Sequence, residues 1–181
     1  FSLAICPERT LEGNALQELR SLPQIIGGFE EKSIERASSI FRKLTNKIII
    51  VSSPETAEVM KLVDNTYRDV HFAFGNEIAK LCNKLHGVNA NEVIRLGKMD
   101  YDRTNVALPG LVGGPCLSKD PHILSHSALE NNVVLEITNA SRKINENMAY
   151  DVIDFIKSSL NTNKKLHITL AGFAFKGQPE T

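Results

Sequence analysis

The sequence has no excess of charge of either sign and no long apolar run. Its 21 lysines and arginines balance 21 aspartates and glutamates, so the formal net charge is zero. Because a neutral chain creates no broad basic field, we expect no binding to nucleic acid or to an anionic membrane. No apolar stretch approaches the roughly 18 residues of a membrane span, and no positively charged leader precedes a short apolar core. We therefore expect a soluble, cytoplasmic protein.

Cysteine is also scarce. The three cysteines, Cys6, Cys82 and Cys116, are an odd number and are widely spaced. They do not fit a disulfide framework, and no CxxC pair or nearby histidine pair suggests zinc. The histidines form no recognisable ligand set either, so no metal site is expected. Cys82 lies within a helical pattern, which predicts a small buried apolar side chain.

The chain does contain enough apolar residues for a core. With 181 residues, 42% of them hydrophobic, it has the size of one or two domains. Apolar runs predict strands over 1–6, 24–28 and 47–51, and the last run is typical of a buried strand in a parallel sheet. Helical spacing over 30–44 places a helix before that strand. A further strand is predicted over 166–172, and because strands need neighbours we expect sheet partners beyond both ends of the chain.

The middle of the chain has helical patterns. Ser53-Pro54-Glu55 combines an N-cap serine, a proline at the first helical position and an acid in the first turn. The helix that it starts is predicted to run to about His86 and to stop at Gly87. Other helices are predicted over 89–99 (capped by Asn89 or Asn91), 121–131 and 133–160, with a loop over 100–120. Two α/β domains joined by a helical spine are therefore expected.

A glycine-rich stretch over 109–121 contains Cys116 and ends in Lys119-Asp120 at a helix start. Glycines let a backbone approach a ligand closely. Lys119 and the first amides of the helix would favour a thiolate and an anionic ligand, and Asp120 could orient a water. The stretch lacks the G-x-G-x-x-G spacing of a dinucleotide fingerprint. The alternative is a tight interdomain loop with a buried cysteine.

The long helix carries polar residues on one face. Lys61, Asn65, Arg68 and Phe72 follow a spacing that places them on the same side of the helix. Lys61 and Asn65, one turn apart, could together hydrogen-bond a hydroxyl, a water or an oxyanion. The alternative is a solvated helix face, with Arg68 as a surface ion-pair partner.

Four motifs in order along the chain resemble the UDP-glucose/GDP-mannose dehydrogenase family. They are Cys6-Pro7-Glu8-Arg9 with Glu12-Gly13; Lys61-Leu62-Val63-Asp64-Asn65-Thr66-Tyr67-Arg68 with Asn76-Glu77; Gly113-Gly114-Pro115-Cys116 through Lys119-Asp120; and Gly172-Phe173-Ala174-Phe175-Lys176. The resemblance covers nearly the whole chain. Four ordered motifs are far more specific than any one of them.

The resemblance implies a division of the chain into an α/β fragment and an all-α part. Residues 1–53 would be the tail of an N-terminal, Rossmann-like NAD-binding domain. Residues 54–163 would be a central helical domain that forms a homodimer, with the long helix spanning it. Residues 164–181 would begin a Rossmann-like, UDP-sugar-binding domain with its first strand. Because the NAD-binding fingerprint would lie upstream of Phe1, the fragment alone should not turn over.

The resemblance also implies the reaction, in which two NAD oxidise the C6 alcohol of a nucleotide sugar to a carboxylate. Cys116 would capture the intermediate aldehyde as a thiohemiacetal, and a thioester would follow and be hydrolysed. Lys61 and Asn65 would stabilise oxyanions, Lys61 and Asp120 would activate water, and Glu8 would be a base in hydrolysis. The smaller implied roles are sugar-nucleotide contacts for Arg9, Gly113 and Lys176, and positions near the cofactor for Glu12 and Lys119.

Some positions depart from the family pattern. Cys6 stands where serine or asparagine is common, and Pro115 where the branch acting on N-acetylated sugars often has histidine. Residues 65–69 and Asp120-Pro121 nevertheless resemble that branch, whereas Lys119 resembles the UDP-glucose branch. We expect a UDP-N-acetylhexosamine substrate. The competing hypotheses are a non-catalytic dimerisation module and a thiol hydrolase, and the latter needs a histidine beside Cys116 in space.

Overall fold

The computed structural model describes residues 1–11, 13–160, 167–169 and 171–172. It is a mixed α/β chain, mostly helical, with one small three-stranded sheet. The elements are β1 (Ala4–Ile5), α1 (Ala15–Ser21), β2 (Gln24–Gly28), α2 (Glu31–Phe41), β3 (Ile48–Ile50), α3 (Pro54–Cys82), α4 (Ala90–Gly97), α5 (Gly114–Leu117), α6 (Asp120–Glu130) and α7 (Glu136–Leu160). They form two compact units, which we call the N-terminal unit (Phe1–Val63) and the helical unit (Asp64–Gly172).

The sheet of the N-terminal unit has β2 at its centre. β1 pairs with it antiparallel, Ala4 opposite Gly28, and β3 pairs with it parallel, Ile25 opposite Ile49. The two isoleucines of β2, Ile25 and Ile26, are buried. The predicted strand over 24–28 and the helix between the second and third strands are confirmed. The first strand is shorter than the predicted run.

The third strand is not buried as predicted. Ile49 and Ile50 are 46% and 55% exposed, although their β-branched run does form a parallel strand. β3 is an outer strand of the three-stranded sheet, paired with β2 alone. Within the part of the chain that the structure describes, its side chains therefore lack the cover that the central strand receives.

Helix α3 begins as the sequence predicts but ends earlier. The Ser53 hydroxyl accepts a hydrogen bond from the Thr56 amide at 3.2 Å, so Ser53 caps the first turn. The helix ends at Cys82 rather than near His86, because the backbone tightens there into three-residue turns such as Leu85 N–H to Cys82 O. Cys82 itself is buried, as predicted.

The later helices also differ from prediction at their ends. The Asn89 side chain accepts bonds from the amides of Asn91 and Glu92, so Asn89 rather than Asn91 caps α4. The predicted loop over 100–120 contains the short helix α5, and α7 begins at Glu136 rather than at 133. In the described part of the predicted strand 166–172, residues 167–169 and 171–172 are not in a strand. A strand requires a hydrogen-bonded neighbour, and none of the described residues supplies one.

The helical unit has a polar interior between α3 and α7. A group of side chains from these two helices is almost completely buried, and we call it the polar layer: Asp69, Asn76, Ser141, Arg142 and Asn145. Buried polar groups are tolerated only when they are hydrogen-bonded to one another. Among the described residues, no helix is both long enough and apolar enough to cross a membrane.

Candidate active site

Cys116 lies on the four-residue helix α5, and its side chain is exposed. The helix starts at Gly114, whose φ of +86° suits glycine and few other residues. At its other end, the Ser118 hydroxyl donates to the Gly114 carbonyl at 2.6 Å, and the Lys119 amide donates to the Cys116 carbonyl at 3.2 Å. The alternative of a cysteine buried in an irregular loop is therefore wrong. The thiol is presented on a turn of defined geometry.

A buried carboxylate follows the cysteine. Asp120 is only 2% exposed, and one of its oxygens accepts a hydrogen bond from the Asn65 side-chain amide at 2.6 Å. Its other oxygen accepts from the Lys119 ammonium. These two charge-assisted bonds compensate the loss of water around the carboxylate. Three predicted site residues are thus brought together by direct contact.

Lys119 remains accessible while it contacts Asp120. Its side chain is 61% exposed. The hydrogen bond to Asp120 raises the pKa of Lys119 above 10.5; slight burial opposes this, and the negative charges of Asp120 and of a Cys116 thiolate add to the increase. A positive charge therefore stands near the thiol and is available to a ligand.

A second group of predicted residues meets in the N-terminal unit. The Lys61 ammonium donates to the Glu8 carbonyl and lies 3.6 Å from the Glu8 carboxylate. Partial burial raises the pKa of Glu8, but hydrogen bonds from Thr10 and the hydrogen bond and charge of Lys61 outweigh it, so this pKa lies below 4.5. Glu8 is consequently ionised at neutral pH, as a base must be.

The remaining predicted residues have less defined surroundings. Arg9 donates to the Pro23 carbonyl at 3.0 Å, and Gly113 is an exposed, extended residue just before α5. Arg68 is exposed on α3, as expected for a surface residue. Glu12 and Lys176 lie outside the described residues. In the described chain, no cluster of three or more His, Cys, Asp or Glu side chains could hold a metal ion.

The loop before α5 lies directly against α3. A Cβ at Gly75 would lie 2.3 Å from the Ala107 carbonyl oxygen, so only glycine permits this approach. Three residues after Ala107, the Gly110 amide donates to the side-chain oxygen of Asn76 at 2.8 Å. The loop is thereby fixed to the helix that also carries Asn65.

Sequence reasoning missed the part that the polar layer plays beneath this loop. Asp69 and Asn76 are seven residues apart on α3, and Arg142 and Asn145 are three apart on α7. Such spacings put each pair on one helix face. Polar residues at these spacings on two long helices were the available signal, but polarity more often marks a solvated face. The fold and the site together define a mixed α/β protein with an exposed thiol beside a lysine and a buried carboxylate.

Comparison with known proteins identifies the class. Residues 55–147 match the sequence profile of the UDP-glucose/GDP-mannose dehydrogenase family, central domain. The chain is 38% identical to a UDP-N-acetyl-D-mannosamine dehydrogenase of Methanococcus vannielii, over 98% of this chain and 41% of that protein. It is similar in structure to the UDP-N-acetyl-mannosamine dehydrogenase of Staphylococcus aureus, with a TM-score of 0.79, 35% identity and coverage of 98% and 40%. The UDP-D-ManNAc dehydrogenase of Pyrococcus horikoshii gives a TM-score of 0.80, 34% identity and coverage of 88% and 37%.

This chain belongs to the UDP-glucose/GDP-mannose dehydrogenase family. The resemblance noted in its four motifs is therefore confirmed. Its mixed α/β fold, mostly helical with a three-stranded sheet, matches the fold of that family. The chain spans about two fifths of the length of the relatives that it matches.

Proposed function

We propose that this chain carries the thiol centre of an NAD-dependent nucleotide-sugar 6-dehydrogenase that oxidises a UDP-N-acetylhexosamine to the uronic acid. The observation that supports it most is the exposed Cys116 on α5, followed directly by Lys119 and the buried Asp120. The printed activity of the relatives, UDP-N-acetyl-D-mannosamine dehydrogenase, supports the choice of sugar. The activity is that of the whole protein rather than of this chain alone.

Cys116 has the chemistry that a two-stage oxidation needs. Its sulfur adds to the C6 aldehyde, and the carbonyl oxygen takes a proton to give a thiohemiacetal. Loss of a hydride from that carbon and a proton from its oxygen gives a thioester. Water then adds, the carbon–sulfur bond breaks, and the products are the carboxylic acid and the free thiol. The covalent link retains the reactive aldehyde between the two oxidations.

Two residues of α3 would stabilise the oxyanions that form along this route. Lys61 has three donors, one of which is engaged by the Glu8 carbonyl. Asn65 donates one amide hydrogen to Asp120, which leaves its second hydrogen for a substrate oxygen. Preorganised donors of this kind stabilise developing charge without further reorganisation.

Two carboxylates would act in hydrolysis. Glu8, ionised because of its contacts with Thr10 and Lys61, would accept a proton from the attacking water. Asp120, held by Asn65 and Lys119, would orient that water, and Lys61 would help to activate it. The carboxylates therefore differ in setting, one being exposed and the other buried.

NAD, when bound, supplies a hydride acceptor for each of the two oxidations. Of the two residues matched to the cofactor, Lys119 fits that role, because its exposed ammonium can contact an anionic group. Glu12 is the second. Arg9, Gly113 and Lys176 would contact the sugar nucleotide, and the exposed, uncrowded backbone at Gly113 fits close approach by a ligand.

We further propose the domain division implied by the family. Residues 1–53 would close an N-terminal Rossmann-like NAD-binding domain, 54–163 would form the central helical domain, and 164–181 would open a UDP-sugar-binding Rossmann-like domain. The central domain would form the homodimer, and exposed apolar side chains on its long helices support this: Tyr67, Phe74, Leu81, Ile137, Tyr150 and Phe155. Light scattering of the full-length protein should give twice the mass of one chain, and a monomer would contradict the dimer.

The test of the function uses the full-length protein and a panel of UDP- and GDP-sugars, with NADH followed by absorbance. A UDP-N-acetylhexosamine should give two NADH per sugar and a uronic acid. Cys116→Ser should abolish acid formation, because the hydroxyl is a far weaker nucleophile than the thiolate. Cys6→Ser is the matched control, since it also removes one sulfur but should leave acid formation unchanged. Normal acid formation by Cys116→Ser would exclude the mechanism.

A further inference from the structure

We propose that Arg142 is a positioning residue for Cys116, which it holds in place through the backbone carbonyl of Leu117. The inference rests on the proposed function, because it assigns to α7 the task of seating the nucleophile. Arg142 lies on α7 and Cys116 on α5, so a residue distant in sequence would fix the geometry of the thiol. It touches neither substrate nor cofactor in this role.

One guanidinium nitrogen makes the decisive contacts. Arg142 Nη1 donates to the Asp69 carboxylate at 2.6 Å and to the Leu117 carbonyl at 3.1 Å. Leu117 directly follows Cys116 and is buried, whereas Cys116 is exposed. The turn is therefore anchored from below by the carbonyl, with the thiol left free above it. Arg142 Nη2 donates to Glu146 at 3.1 Å, which fixes the plane of the guanidinium.

Asp69 holds Arg142 in this orientation. It is completely buried, and its carboxylate also accepts bonds from Ser141 at 3.2 Å and from Asn145 at 2.9 Å. A buried carboxylate with these donors can be satisfied only in one arrangement of α3 and α7. The arginine that pairs with it consequently has little freedom to move away from Leu117.

The same layer also fixes the other side of the loop. Asn145 accepts a bond from Asn76 at 2.9 Å, and Asn76 in turn accepts from the Gly110 amide at 2.8 Å. The chain that leads into α5 and the residue that follows Cys116 are thus tied to one continuous hydrogen-bond network. A displacement of about 1 Å at a reacting group can lower a rate by about 100-fold, so such anchoring has consequences for catalysis.

Arg142→Lys in the full-length protein tests the proposal. Lysine keeps the positive charge beside Asp69 but lacks the planar fork that reaches Asp69, Leu117 and Glu146 together. The readouts are hydrogen exchange of backbone amides and steady-state kinetics with the UDP-sugar. The matched control is Lys143→Met at the exposed neighbouring position, which should match the wild type in both readouts.

The tether predicts a local effect. Amides of 114–119 should exchange about tenfold faster in Arg142→Lys, while those of α4 and the N-terminal unit stay within about twofold. In the kinetics, kcat should fall by about 10- to 100-fold and KM for the UDP-sugar should change by less than about threefold, because the thiol rather than the binding site is displaced. Unchanged exchange at 114–119, or an equal increase throughout the helical unit, would overturn the proposal.

Asp69→Asn provides a second variant if Arg142→Lys does not fold. Asparagine keeps an oxygen for the guanidinium but removes the charge that orients it, so exchange at 114–119 should increase by about threefold. No increase there would also overturn the proposal. The exchange readout does not depend on turnover. A full-length protein that oxidises no nucleotide sugar would therefore contradict the proposed function and leave the tether to be decided by the exchange data.

Discussion

The two units of the chain have interiors of opposite character. The N-terminal unit is centred on the apolar residues of β2, with Ile26 completely buried. The helical unit instead buries a charged pair, Asp69 and Arg142, at 0% and 5% exposure. An apolar interior is stabilised by filled volume, whereas a polar interior depends on each group finding its partner. The difference teaches that the unit carrying the thiol has the directed contacts that can orient a loop.

Removing one member of the charged pair should have the largest effect on this contrast. Asp69→Leu would leave Arg142 buried without its carboxylate, and the free energy of opening of the helical unit should fall by about 3–5 kcal/mol. Native-state hydrogen exchange of amides in α3 and α7 of the full-length protein measures this loss.

The double variant Asp69→Leu, Arg142→Met is the control for that substitution. With no charge left unpaired, most of the lost stability should return. The amides of 114–119 should still exchange faster than in the wild type, because the bond to Leu117 is absent. A double variant as unstable as the single one would show that shape rather than pairing governs this interior.

The apolar interior should respond by volume instead. Ile26→Val removes one methylene from a completely buried side chain and should cost about 1 kcal/mol. Ile50→Val is the matched control on β3, where the side chain is 55% exposed, and should cost less than about 0.5 kcal/mol. Both losses are measured by hydrogen exchange of amides in β2. Equal losses at the two positions would mean that β3 is covered in the whole protein.

The smallest effect should come from a half-exposed acid at the edge of the polar layer. Hydrogen bonds from His122 and Arg142 hold the pKa of Glu146 below 4.5, against a small opposing effect of burial. A lowered folded-state pKa contributes stability above the unfolded pKa, and this stability is lost as pH falls through the folded value. Because Glu146 is 52% exposed, the contribution should not exceed about 0.5 kcal/mol.

Glu146→Gln tests the sign of that contribution. The variant should be slightly less stable than the wild type at about pH 5.5, and the difference should vanish towards about pH 3. Urea unfolding of the full-length protein, followed at both pH values, gives the comparison. Glu35→Gln, at an exposed position of α2, should show no such dependence. A difference that grows as pH falls would contradict the assigned sign.

Local patterns in the sequence predicted much of the fold but not the interior of the helical unit. The β-branched run at 48–50 and the cap at Ser53 have causes that lie within a few residues, so β3 and the start of α3 were predictable. The exposure of Ile49 and Ile50 depends on what covers the outer strand, which local sequence does not contain.

The candidate site divides in the same way. Cys116, Lys119 and Asp120 are neighbours in sequence, and their chemistry was apparent from spacing alone. The contact from Arg142 to Leu117 spans 25 residues, and the pair with Asp69 spans 73. Such pairings arise only when two helices pack, so single-sequence reasoning could not distinguish these residues from a solvated face.

The most direct test of the account is to trap the sugar on Cys116. In the full-length protein, Glu8→Gln removes the proposed base of hydrolysis, so the thioester should accumulate when the UDP-sugar and NAD are mixed and quenched in acid. Mass spectrometry of the digested protein should then show the added mass of the sugar nucleotide on the peptide containing Cys116, and none in Glu8→Gln, Cys116→Ser. An unmodified Cys116 in a Glu8→Gln enzyme that still produces NADH with the UDP-sugar would contradict the account.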